Sequence, residues 1–108
     1  MQKFLITFDI HRCAQGSNIY AELYKDIKEK YGADGYCKDF LQFCIVKTTD
    51  DIATIRNFVR DRIGSKANRY PYESADVFVF TVGDQIAITR GKDNGKMNDF
   101  ARFFRSVD

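Results

Sequence analysis

The apolar spacing switches repeatedly between the two-residue period of a strand and the roughly 3.6-residue period of a helix. KFLITFDI, residues 3–10, sets Phe4, Ile6 and Phe8 on one face and Leu5 and Thr7 on the other, as in a central β-strand. Ser17 then precedes Ile19, Leu23 and Ile27, spaced by four, with Tyr20, Tyr24 and Tyr31 widening the stripe and Gly32 as a stop. That segment reads as an amphipathic helix.

Two strands fit between Gly32 and Thr49: a weak one near Tyr36 to Asp39 and a stronger one, LQFCIVKT, from Leu41 to Thr48. Thr49, Asp50 and Asp51 supply an N-cap and negative charge for a second helix, whose apolar face is Ile52, Ile55, Val59 and Ile63 and whose end is Gly64. Ser65 to Ser74 reads as a basic loop. DVFVFTV, Asp76 to Val82, is the next strand, and Gly83-Asp84 suits a hairpin turn into a further strand, Gln85 to Arg90.

The order β-α-β-β-α-β plus one strand predicts an α+β fold: a ferredoxin-like βαββαβ sandwich with an additional C-terminal strand, its antiparallel sheet carrying two helices on one face. We expect a ferredoxin-like domain over residues 1–91 and a C-terminal tail over 92–108, where Phe100, Phe103 and Phe104 suggest a short docking helix. The second sheet face then needs a cover, which favours a homodimer through sheet faces or edges.

Composition narrows the function classes. Hydrophobic residues are 44% and charged residues 30% of 108, so the chain can bury a core as one domain. The formal net charge of +2 is too small to mark a nucleic-acid binder, so any basic surface has to be local. No apolar run approaches the roughly 20 residues that cross a bilayer, and Met1-Gln2-Lys3 leads into a strand rather than a signal peptide, so no membrane partner and a cytoplasmic location are expected.

Cys13, Cys37 and Cys44 are odd in number and lack CxxC spacing, and we read them as reduced thiols, with Cys44 a small core residue. There is no glycine-rich phosphate loop, HExxH motif or nucleophile elbow. Asp50 and Asp51 read as helix-start residues and Asp39 as a turn residue, so none of these three is promoted to a metal ligand.

KFLITFDIHR, LQFCIVKTTDD and DVFVFTV, in this element order, resemble the small CRISPR-associated endoribonuclease and spacer-integration subunits, the Cas-two family, and the related virulence-associated protein D toxins. The resemblance spans roughly residues 3 to 90 and is one of element order. In that family a strand-terminal Asp from each subunit meets its symmetry mate in the dimer cleft, associated with metal-dependent phosphodiester cleavage, and Asp9 matches it. LQFCIVK looks like the family's Gln-x-Ser-Val-Phe strand, with Gln42 retained and Cys44 where Ser is usual. HRCAQGSN lacks the short acidic or prolyl turn common among the CRISPR-linked members.

The resemblance implies a homodimer that engages RNA or DNA and, as an endoribonuclease in defence or a toxin–antitoxin setting, uses paired Asp9 carboxylates to hold Mg²⁺ or Mn²⁺. His11, whose imidazole titrates near neutral pH, is a candidate general acid or base, and Arg12 a candidate phosphate contact. Arg56, Arg60, Lys66 and Arg69 form a candidate phosphate-tracking strip, or a solvated helix face balanced by Asp61. Tyr70 and Tyr72 would stack on bases or cover a sheet edge. A non-catalytic dimeric scaffold binding protein or nucleic acid fits the same residues, and a small-molecule regulator would need a pocket.

Overall fold

The computed structural model describes residues 1–14, 16–33 and 43–83. Within them the order is β1 (Gln2–His11), α1 (Ile19–Tyr31), β2 (Phe43–Thr48), α2 (Ile52–Ser65) and β3 (Ser74–Val82). β1 lies between β2 and β3 and is antiparallel to both. The protein is therefore α+β, with an antiparallel sheet and two helices. The expected strands near Tyr36 to Asp39 and over Gln85 to Arg90, the Gly83-Asp84 turn as a whole, Cys37, Gln42 and the tail over 92–108 lie outside the described residues.

The alternation in β1 decides which sheet face the helices cover. Phe4, Ile6, Phe8 and Ile10 are buried in one cluster with Cys44 and Val46 of β2, Ile19, Leu23 and Ile27 of α1, and Ile55, Val59 and Ile63 of α2. Each fully buried aliphatic side chain contributes about 1.5–3 kcal/mol relative to an exposed one, so this cluster is what holds the layers together. Cys44 belongs to that core, as its apolar surroundings in the sequence imply.

Helix ends follow local chemistry. α1 stops where Gly32 takes φ 68°, in the left-handed region, and donates its N–H to the Lys28 carbonyl at 2.7 Å. Asp51 caps α2 by accepting the Thr54 N–H at 2.7 Å, and that bond holds its carboxyl below the ordinary value. Two expectations for α2 need correction. Ile52, in its first turn, is 43% exposed instead of joining the apolar face, and the helix passes Gly64 to end at Ser65.

Both flanking strands of the β1–β3 ladder are longer than their sequence pattern suggests. β3 begins at Ser74 and pairs with His11, so the ladder runs from Lys3↔Val82 to His11↔Ser74. Asp9 therefore sits inside the ladder, opposite Asp76, rather than at a free strand end. No helix among the described residues is long and apolar enough to cross a membrane.

Candidate functional site

Strand alternation puts Leu5, Thr7, Asp9 and His11 of β1 on the face away from the helices, together with Asp76, Phe78 and Phe80 of β3. Cover on this face is uneven. Phe43 and Ile45, on the β2 side, are buried, whereas Phe78 and Phe80 are 52% and 51% exposed, their rings stacked 6.4 Å apart and within 10° of parallel. An aromatic pair left this open beside charged residues is the most distinctive apolar feature of the described surface.

At the end of the same face three polar side chains converge. Asp9 and Asp76 are direct cross-strand partners, a like-charge arrangement that by itself destabilises an antiparallel pair. His11 relieves it. Its Nε2 lies 2.8 Å from Asp76 Oδ2 and 3.8 Å from Asp9 Oδ2. The hydrogen bond to Asp76 raises the imidazole above its ordinary value, with Asp9, Asp76 and Glu73 adding charge in the same direction and burial opposing them.

Tyr20 of α1 reaches this end of β1 from the other side. Among the described residues β2 is paired with β1 over Gln2–Thr7, and Ile10 lies beyond that stretch. The Tyr20 hydroxyl accepts the Ile10 N–H at 2.7 Å, and its proton has two acceptors in reach, the Ile10 carbonyl at 3.3 Å and Asp9 Oδ1 at 3.4 Å. Its ring stacks on Phe8 at 5.8 Å. Burial, the largest influence, raises the phenol above its ordinary value.

Arg12 follows at φ 58°, an unusual conformation for a side-chain-bearing residue. Its Nε contacts Glu73 Oε2 at 2.9 Å, and Glu73 N–H donates to the His11 carbonyl at 2.9 Å, so the two chain ends of this ladder are tied by side chain and backbone. Exposure of both ionic partners keeps that pair to about 0–1 kcal/mol.

Of the expected basic strip, Arg56, Arg60 and Arg69 are exposed and Lys66 is not. Arg56 and Arg60 are exposed on α2, their guanidinium groups on Asn57 Oδ1 and on Asp61 Oδ1 at 3.2 Å. Arg69 is exposed, 3.7 Å from Glu22 and 5.2 Å over the Tyr70 ring. Lys66 is buried. Its Nζ bonds Asp26 of α1, which also takes Arg62 Nε at 3.1 Å, so Lys66 ties the helices together instead of facing solvent. The helix-borne arginines and the Asp9 carboxylate lie on opposite faces of the sheet.

Three residues escaped sequence reasoning. Asp76 shares the parity of Phe78 and Phe80, a signal for the open face, but its partnership with Asp9 needs the register. Asp26 flanks the buried Ile27, and Tyr20 flanks Ile19, positions where a polar group meets the edge of a core. Tyr70 and Tyr72 pack partly buried against the core, and the Tyr70 hydroxyl bonds Glu22.

Asp9 offers hard carboxylate oxygens on an exposed side chain, the donor type that Mg²⁺ and Mn²⁺ prefer, and Mg²⁺ is commonly held by only one or two carboxylates plus water. Among the described residues no group of three or more His, Cys, Asp or Glu side chains is arranged to hold a metal ion. The fold and cluster define an α+β sandwich domain with a carboxylate–imidazole–carboxylate row on its open sheet face. No family model, curated protein or solved structure matches this chain.

Proposed function

We propose that the protein is a Cas-two-like homodimer that engages nucleic acid and acts in the cytoplasm as a metal-dependent endoribonuclease, in defence or a toxin–antitoxin setting. The observation that carries the reading is the exposed Asp9 on the sheet face away from the helices, whose β3 side carries the exposed Phe78 and Phe80 pair. A second copy laid on that face would cover the phenyl rings and bring two Asp9 carboxylates together. The strand order supports the full βαββαβ pattern: β2-β1-β3, all antiparallel, is the order its first, third and fourth strands take, and the pattern's remaining strand belongs outside β2.

In this reading Asp9 holds Mg²⁺ or Mn²⁺ jointly with its symmetry mate, and the ion, when bound, activates water and stabilises charge on the phosphate. His11 moves a proton at its imidazole, and Arg12 contacts the scissile phosphate once it leaves Glu73. The exposed Arg56, Arg60 and Arg69 would follow the nucleic-acid backbone across the helical side. Purified wild type and Asp9→Ala are compared for cleavage of RNA and DNA with Mn²⁺. Loss of RNA cleavage in the variant supports the reading, and equal residual activity assigns cleavage to contamination.

One observation favours a non-catalytic dimeric scaffold for protein or nucleic acid: each nominal catalytic side chain has an intramolecular neighbour, Tyr20 for Asp9, Asp76 for His11 and Glu73 for Arg12. Salt-dependent nucleic-acid binding that survives Asp9→Ala, without cleavage by the wild type, selects this second reading.

A further inference from the structure

His11 stands between two carboxylates and commits to one of them. Its Nε2 is at hydrogen-bond distance from Asp76 Oδ2, 2.8 Å, and beyond it from Asp9 Oδ2, 3.8 Å. Both carboxylates are cross-strand partners on one face, so a small turn of the ring about its own side-chain torsions would exchange one for the other. Asp9 has little else to occupy it. Its other oxygen is 3.4 Å from the Tyr20 hydroxyl, whose proton has a slightly nearer acceptor in the Ile10 carbonyl at 3.3 Å.

The remaining charges around the ring leave that choice to Asp76. Glu73 is engaged by Arg12 at 2.9 Å, and Arg12 in turn is held at the end of the ladder by the same contact. The Tyr20 phenol is bound to the Ile10 backbone. Asp76 is thus the group whose hydrogen bond keeps the imidazole off Asp9.

We propose that Asp76 is a positioning residue for Asp9: by holding His11, it keeps Asp9 open to a divalent cation, and without it His11 swings onto Asp9 and competes with the ion. The inference rests on the reading of Asp9 as a cation ligand. Asp76 was assigned no role by sequence, and its effect here is exerted through His11, with no contact to the ion required.

A substitution series separates this role from that of a direct ligand. Mn²⁺ alone is the probe, titrated into the full chain while paramagnetic broadening of the Asp9 amide resonance is followed. Asp76→Ala weakens binding roughly tenfold, the scale of one hydrogen bond to a charged group. Asp76→Asn, whose amide oxygen still accepts from Nε2, stays close to wild type. The double variant His11→Ala with Asp76→Ala recovers wild-type affinity, because the competitor has gone; were Asp76 itself a ligand, the double variant would stay weak and the proposal would be overturned. Unchanged binding in Asp76→Ala overturns it as well.

The crystal structure of Asp76→Ala gives a readout that needs no metal. His11 Nε2 is expected within about 3.2 Å of Asp9 Oδ2. If the ring instead keeps its distance, Asp76 does not position it and the inference falls. If wild type shows no Mn²⁺ broadening at Asp9, it is the cation reading of Asp9 that fails, and the ring position in the variant still decides whether Asp76 holds His11.

Discussion

The Tyr20 hydroxyl accepts the Ile10 N–H at 2.7 Å, beyond the Gln2–Thr7 stretch of β1 that pairs with β2 among the described residues. A side chain from α1 thereby satisfies a backbone donor of β1, and it does so next to Asp9. Backbone donors left unpaired in a partly buried position are costly, so this phenol stabilises the end of the strand that presents the candidate site.

Tyr20→Phe keeps the ring stacked on Phe8 and removes only the hydroxyl. The expected loss is about 1–2 kcal/mol of unfolding free energy, the scale of one buried donor without an acceptor. Urea unfolding measures it, and amide exchange at Ile10 should accelerate more than at Ile6, which β2 and β3 flank on both sides. A uniform acceleration would mean that the hydroxyl does not act locally.

Asp26 makes acid stability depend on one interhelical contact. Burial, the largest single influence, pushes its carboxyl up, but the hydrogen bonds and charges of Lys66 and Arg62 together pull it below the ordinary value of 3.8. A depressed carboxyl contributes stability that is present above its unfolded value and is lost as pH falls through the folded one. Asp26→Asn should therefore flatten the stability profile below about pH 4. Lys66→Ala should cost about 2 kcal/mol in denaturant unfolding, the scale of a lost hydrogen bond to a charged group. Its effect on nucleic-acid affinity should be small beside that of Arg56→Ala with Arg60→Ala.

His11 is the chain's one histidine, which makes its titration readable by proton NMR. The hydrogen bond that it donates to Asp76 raises it above the ordinary value of 6.5. The sign follows from that direction: the pairing is fully present below about pH 6.5 and is lost as pH rises through the raised folded value. Asp9→Asn should lower the midpoint slightly, because the hydrogen bond to Asp76 remains, and Asp9→Asn combined with Asp76→Asn should lower it further, because neither carboxylate is then left beside the ring. An unchanged midpoint in the double variant would contradict the geometry.

The exposed Phe78 and Phe80 should report on the open face directly. Changing both to Ser should leave the monomer's helices intact, since neither ring belongs to the core shared with α1 and α2. Sedimentation velocity is expected to show a dimer in wild type and a monomer in this variant. A wild-type monomer at high concentration would remove the paired-Asp9 site from consideration.

Much of the architecture was legible because periodicity is local. Phe4, Ile6 and Phe8 at alternate positions, Ile19, Leu23 and Ile27 at every fourth, and Gly32 after the last apolar turn each state a face or an end from neighbouring residues alone. Asp51 was legible for the same reason, since a cap acts on the backbone three residues on. Ile52 misled because the spacing of an apolar residue does not say whether its turn reaches the sheet.

The candidate site was legible only in part. Sequence by itself determined that Asp9 lies near the C-terminal end of an apolar strand with His11 and Arg12 next along the chain, and that Asp9 alternates away from Phe8. What only the tertiary structure decided was partnership: Asp76 beside Asp9 and His11, Lys66 on Asp26, Tyr20 under Ile10. Those pairs join residues far apart in the chain, and their meeting depends on strand register and helix placement. Both are set by how the shared core packs, a property of the whole cluster that no stretch of neighbouring residues encodes.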